Sequence, residues 1–171
     1  MRNLTIALMF VLAAAVLAGC PTALQKATAT INSVTLATQE CEVAYKKLTA
    51  TALDTIATTE RDARTAALAK AACNLDPAGV QPTDACRTIV ADAKAKYEAR
   101  KGKVVGIATK LDASTGLVYA ALLTAIDVLI LVRDGQTGKW PQLTTLVAEA
   151  ITVGQALLNA WADYKKNAAS Y

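Results

Sequence analysis

Histidine is absent from this sequence of 171 residues. Its absence removes the side chain that proteins use most often as a general base and as a metal ligand. The serines Ser33, Ser114 and Ser170 have no Gly-x-Ser-x-Gly context of the kind that marks a nucleophile. None of the four cysteines has the Cys-x-x-Cys spacing of a redox-active pair. The sequence therefore predicts a protein that is not an enzyme and that uses no metal and no cofactor.

Large aromatic side chains are also scarce. There is one Phe, and aromatic residues make up 5% of a chain that is 54% hydrophobic. A core must therefore be built from small side chains that pack closely, which favours helices. The net charge of +4 comes from basic residues that are interspersed with acidic ones, and this pattern gives no support to nucleic-acid binding. We expect an all-α fold and no nucleic-acid partner.

Glycine and proline are missing between Pro21 and Pro77, so one long helix is predicted over residues 23–73. Apolar residues follow a heptad spacing of three and four along it, with one polar member. This seam consists of Leu24, Ala27, Ile31, Val34, Thr38, Cys41, Tyr45, Leu48 and Ala52.

The segment between Cys73 and Cys86 is rich in residues that end helices and reverse the chain. It predicts a turn over residues 74–83, followed by a second helix over residues 84–133 that Thr83 or Asp84 caps. The second helix has three weak points at which the sequence allows a kink, and the first two indicate close approach to a neighbouring helix. These glycines are Gly102, Gly106 and Gly116.

The stretch from Leu117 to Val132 is apolar on nearly every face. A two-helix hairpin covers only one side of each helix, so a third helix, predicted over residues 141–167, must cover it. The stretch is short for a membrane span and contains Asp127, so we expect a buried central helix.

Together these elements predict a single helical domain over residues 20–171. Its fold is an elongated three-helix bundle with two long antiparallel helices that form a protruding hairpin arm. The arm is expected from about Asp54 to Lys103, because half of the chain's charged residues lie there and a two-helix arm has no third helix to bury a second face.

Cys73 and Cys86 flank the predicted turn, at the end of one helix and the start of the next. They can therefore approach to the Cα separation of about 4.4–6.8 Å that a disulfide requires. Cys41 lies too far along the same helix to pair with Cys73. We predict a Cys73–Cys86 disulfide and a buried Cys41 thiol.

The N-terminus carries a sorting signal. Arg2 precedes an apolar run from Leu4 to Val16, which ends in Leu17-Ala18-Gly19-Cys20. These four residues resemble the lipobox of bacterial lipoproteins. The resemblance covers the first twenty residues and implies that residues 1–19 are a signal peptide and that Cys20 is lipidated. The alternatives are an ordinary secretory peptide, cut near Ala15 or Gly19, and an uncleaved anchor.

Two or more acyl chains hold a protein stably on a membrane. By the same resemblance, Pro21 after the lipidated position, in place of Asp, implies the outer membrane rather than the inner membrane of the bacterial cell envelope.

The sequence thus predicts an envelope lipoprotein with a structural or protein-interaction role and a protein partner in the envelope. The alternative is a carrier or sensor of a small ligand or lipid, with a cavity between the helices around Tyr119, Trp161 and Tyr164. A further basic cluster is interpreted as a solvated patch, or as a contact to phosphate headgroups or a cell-wall polymer. It consists of Arg100, Lys101 and Lys103.

Overall fold

The computed structural model of the protein describes residues 21–73 and 83–168. Within these ranges the chain forms three α-helices and no strand: α1 (Pro21–Lys70), α2 (Asp84–Arg133) and α3 (Trp140–Asn167). A short 3-10 helix, Thr137–Lys139, precedes α3. The predicted all-α helical bundle is confirmed. Cys20, the predicted signal peptide and residues 74–82 of the predicted turn lie outside the described ranges.

The chain divides into two compact units. Among the described residues, the first unit combines 21–45 with 110–164, and so contains parts of all three helices. The second unit combines residues 46–73 and 83–109 with residues 165–168. Each helix pairing described below lies within one of these units.

The heptad seam of α1 forms the core of the first unit. Its members from Ala27 to Tyr45 are all buried, as predicted. The other two helices contribute aliphatic residues of small and medium size to this core. The buried residues of α2 and α3 include Leu111, Val118, Leu122, Ala125, Leu143, Val147, Ala150, Gly154 and Leu157.

The apolar stretch of α2 is not buried on all sides, so the expectation of a fully covered central helix is wrong. Val118, Leu122 and Ala125 are buried, but Leu117 and Leu123 are each 64% exposed. In a three-helix bundle each helix faces two neighbours and keeps an outer face. The apolar composition of α2 therefore continues onto a face that α1 and α3 do not cover.

The α2 glycines do not mediate helix packing, which corrects a second expectation. The helix runs through Gly102, Gly106 and Gly116 without interruption, and a Cβ built at any of them meets nothing within 4 Å. The buried residue between the first two is Val104. Gly102 and Gly106 lie two residues to either side of it, on the outer face of the helix.

Two helices end in a left-handed residue. At the end of α1 the amide of Cys73 donates to Leu68 O, and that of Ala72 to Ala69 O. The same pair of bonds closes α2 around Gly135, and both ends match the Schellman motif. The φ angles are 51° at Ala72 and 96° at Gly135. Only the alanine carries a Cβ that this conformation disfavours.

Threonine is frequent in all three helices although its helix propensity is low. Many of these side chains turn their hydroxyl into their own helix, where Oγ1 donates to the carbonyl oxygen four residues earlier. Such bonds are made by Thr28, Thr35, Thr38, Thr51, Thr55, Thr65, Thr88, Thr109, Thr115, Thr124, Thr145 and Thr152.

Candidate interaction site

An open cleft of about 340 Å³ lies between α1 and α2 in the second unit. Two alanines, Ala57 and Ala93, leave room for it because their side chains end at Cβ. Four of its other residues are charged, and two are larger apolar or aromatic side chains. The remaining lining residues are Glu60, Arg61, Arg64, Val90, Lys94 and Tyr97.

The carboxylate that lines the cleft is neutralised within the chain. Arg100 Nη1 donates to Glu60 Oε1 at 2.9 Å, and the Glu60 side chain is 13% exposed. Arg61 Nε lies 3.5 Å from the exposed carboxylate of Asp62. The charge that the cleft presents to a ligand is therefore positive.

Arg64 and Lys94 face the cleft from opposite helices, and both are exposed. In the described part of the chain neither makes an ion pair or a hydrogen bond. The sequence pattern did not predict this pair, because the two residues lie thirty positions apart. The register of the two helices would have indicated it: if antiparallel helices are joined at Cys73 and Cys86, residue 64 lies level with residue 95.

The basic cluster predicted from the sequence is largely engaged inside the chain. Arg100 pairs with Glu60. Lys101 Nζ lies 5.5 Å from the ring centroid of Tyr97, within the range of a cation–π contact, and 3.8 Å from Glu98 Oε2. Lys103 is exposed.

Two tyrosines join α1 to α2 in the first unit through carboxylates. The Tyr45 hydroxyl donates to Asp112 Oδ1 and accepts from Thr115 Oγ1 at 3.5 Å. The Tyr119 hydroxyl donates to Glu42 Oε2 at 2.9 Å.

The surroundings of both phenols favour the protonated form. Burial, followed by the hydrogen bond to Asp112, raises the pKa of Tyr45 to about 12. Burial and the hydrogen bond to Glu42 also raise the pKa of Tyr119. At neutral pH both phenols are therefore hydrogen-bond donors that fix the two helices to each other.

Two of the three aromatic residues of the predicted carrier cavity contact each other, and the third bonds to another helix. Trp161 and Tyr164 pack together with ring centroids 5.9 Å apart and tilted planes, and Tyr164 is buried. Tyr119 is hydrogen-bonded to Glu42.

The cysteines occupy the positions expected of them. Cys73 and Cys86 lie at disulfide distance, with Cα atoms 5.9 Å apart. The amide of Cys86 donates to Thr83 Oγ1 at 3.3 Å, so Thr83 is the residue that caps α2. Cys41 is a buried thiol in the core of the first unit.

Several large apolar side chains of the first unit face outward. They lie on α1 and α2, and two pairs among them are seven residues apart, a spacing that keeps both members on one helix face. They are Leu36, Val43, Leu117, Leu123 and Ile130.

Two helical segments are long and apolar enough to cross a membrane by length and composition, Asp84–Arg133 and Thr137–Asn167. The most apolar window of each is 28% buried. Core helices of soluble proteins can be equally long and apolar. The length and hydropathy of the two segments therefore show only how apolar they are.

No protein-family model, no curated protein and no solved structure matches this chain. Among residues 21–73 and 83–168, no group of three or more Cys, Asp or Glu side chains is placed to hold a metal ion. The features that stand out are two surfaces, the basic cleft of the second unit and the exposed apolar residues of the first.

Proposed function

We propose that the protein is a lipid-anchored lipoprotein of the bacterial cell envelope, held on the outer membrane through Cys20, and that it acts by binding a protein partner. The lipobox-like sequence Leu17-Ala18-Gly19-Cys20 supports the anchor. The disulfide between Cys73 and Cys86 agrees with export, because disulfides persist in oxidising compartments.

The observation that carries the binding role is the set of large apolar side chains that the first unit exposes on α1 and on α2. Single exposed apolar residues are normal on soluble proteins, whereas grouped ones mark interaction sites. Leu36 and Val43 share one face of α1, and Leu123 and Ile130 share one face of α2. Burial of one such side chain in an interface contributes at most about 1.5–3 kcal/mol, so several of them must act together to offset the cost of association.

The anchor is tested by the intact mass of the mature protein from bacterial cells. We expect the loss of residues 1–19 and the added mass of acyl chains at Cys20. A Cys20→Ala variant should stay unprocessed. An unmodified thiol at Cys20 in the mature wild-type protein contradicts the anchor.

The partner is tested by photo-crosslinking in intact cells. A photoreactive amino acid replaces Leu36 on α1 or Leu123 on α2, and Glu149, an exposed residue of α3, serves as the matched control position. We expect a discrete crosslinked protein from the first two positions and none from Glu149. The same crosslinked products at all three positions, or no product at any, contradicts a partner that binds the exposed apolar side chains.

A further inference from the structure

The basic cleft of the second unit is lined by two cationic side chains that no described residue neutralises. Arg64 and Lys94 are contributed by α1 and α2 and line the same space. Both side chains are exposed, and in the described part of the chain neither forms an ion pair, so their charges add to a positive potential in the cleft. An anionic group bound in the cleft therefore gains charge-assisted contacts to these side chains.

The other lining residues indicate which groups the ligand carries besides its anionic group. Ala57, Val90 and Ala93 present apolar surface, and the half-buried ring of Tyr97 adds an aromatic wall. A free inorganic anion leaves this surface uncovered. The lining residues also lie within helices, where the backbone amides are already hydrogen-bonded, so the cleft lacks the amide donors typical of phosphate sites. The lining thus favours a ligand with both carboxylate and apolar groups.

We infer that the cleft binds a short acidic segment of the protein partner, with carboxylates on Arg64 and Lys94 and an apolar side chain against Ala57, Val90 and Ala93. The inference rests on the proposed function and names the chemistry of its partner. A volume of about 340 Å³ is at the small end of ligand sites and fits a few side chains, as presented by one or two turns of a helix. Arg64 supplies a planar guanidinium that matches a carboxylate in two parallel hydrogen bonds.

The direct test is fluorescence anisotropy with the full chain in detergent micelles. The probe is a labelled helical peptide with the repeat Glu-Leu-Ala-Glu, and the control peptide carries Gln in place of Glu. Two double variants remove the same charge: Arg64→Gln with Lys94→Gln in the cleft, and Lys47→Gln with Lys96→Gln at exposed positions of the same helices outside it.

We expect saturable binding of the acidic peptide, with a dissociation constant that rises at least about tenfold in the cleft variant, equivalent to about 1.4 kcal/mol, and less than twofold in the control variant. The Gln peptide should bind at least about tenfold more weakly. No saturable binding, equal losses in both variants, or equal binding of the Gln peptide overturns the inference. Displacement of the probe by inorganic phosphate at matched ionic strength assigns the cleft to simple anions and also overturns it.

Crosslinking in cells separates failure of this inference from failure of the proposed function. A photoreactive residue at Val90 should crosslink to an acidic segment of the same protein that Leu123 captures, and the product should disappear in the Arg64→Gln/Lys94→Gln background. Crosslinks from Leu123 but none from Val90 overturn the cleft while the partner stands. The absence of products at both positions overturns the partner itself.

Discussion

Removal of one hydroxyl group tests how α1 and α2 are joined. In Tyr45→Phe the buried side chain keeps its shape but loses the donor to the Asp112 carboxylate. A hydrogen bond to a charged group contributes about 1.5–3 kcal/mol. Asp112 is exposed, so water can replace the lost donor, and Thr115 keeps its bond to Leu111 O at 2.9 Å. We therefore expect a loss near the lower end, about 1.5 kcal/mol.

The assay is urea denaturation at pH 7, followed by tryptophan fluorescence. Both tryptophans, Trp140 and Trp161, belong to the first unit, as does Tyr45, so the signal reports the unit in which the change is made. Tyr119→Phe is the matched control. Its hydroxyl donates to Glu42 from a half-buried side chain, so its loss should be smaller.

The pH dependence provides an independent check. The pKa of Tyr45 is about 12 in the folded state, against an ordinary value of 10.0. Between pH 10 and pH 12 the folded state keeps a proton that the unfolded state has lost. The contribution of protonated Tyr45 to the free energy of unfolding is therefore complete below pH 10. As the pH rises from 10 to 12, this contribution falls by about 1.4 kcal/mol per pH unit.

Tyr45→Phe lacks this slope, so the stability of the wild-type protein should fall faster than that of the variant above pH 10. A difference between the two proteins that stays constant from pH 9 to pH 12 refutes the argument. So does an unchanged free energy of unfolding at pH 7.

Four further variants test local features of the fold. Replacement of both Cys73 and Cys86 by Ser opens a loop of sequence separation 13 and should destabilise the second unit by about 3 kcal/mol. We expect faster amide hydrogen exchange over residues 84–109 in this variant. Unchanged exchange contradicts a disulfide that constrains this unit. Gly106→Ala should raise the free energy of unfolding by about 0.5–1 kcal/mol, because the added Cβ meets open space within a helix, and a lower thermal midpoint by circular dichroism contradicts that placement. Ala72→Gly should stabilise the fold by about 1 kcal/mol, because glycine adopts the left-handed conformation without strain, whereas Gly135→Ala should destabilise it by a similar amount. Chemical denaturation measures the free energy of unfolding of both variants. Changes of equal sign contradict the left-handed conformation at these two helix ends.

The sequence predicted those features that depend on local spacing. The seam from Ala27 to Tyr45 has a residue that is apolar, except for Thr38, at every third or fourth position, and the structure buries all of its members. Thr83 was one of two candidates for the cap of α2, and its Oγ1 accepts the Cys86 amide. Such features are encoded within one helix or at its end.

Features that depend on which face of a helix is covered were only partly predictable. The three-four spacing of apolar residues in α2 includes Leu122, which is buried, and omits Leu123, which is exposed. The apolar composition around both residues nevertheless predicted that a third helix would cover the whole stretch, and the structure leaves one face open. Gly102 and Gly106 have the spacing of a packing motif, but Val104 between them is the residue that faces inward. The cleft depends in the same way on the register between α1 and α2, which brings Arg64 level with Lys94.

The threonine hydroxyls that donate to carbonyl groups of their own helices change which groups the helices expose to solvent. At exposed positions such as Thr28, Thr51 and Thr109 the hydroxyl proton is held by a backbone carbonyl and is not available to water, while the γ-methyl group remains at the surface. A count of polar residues therefore overstates the number of hydrogen-bond donors that these helices offer to water, although the hydroxyl oxygens can still accept. The protein should adhere to hydrophobic chromatography media more strongly than a helical protein with serine at the same sites.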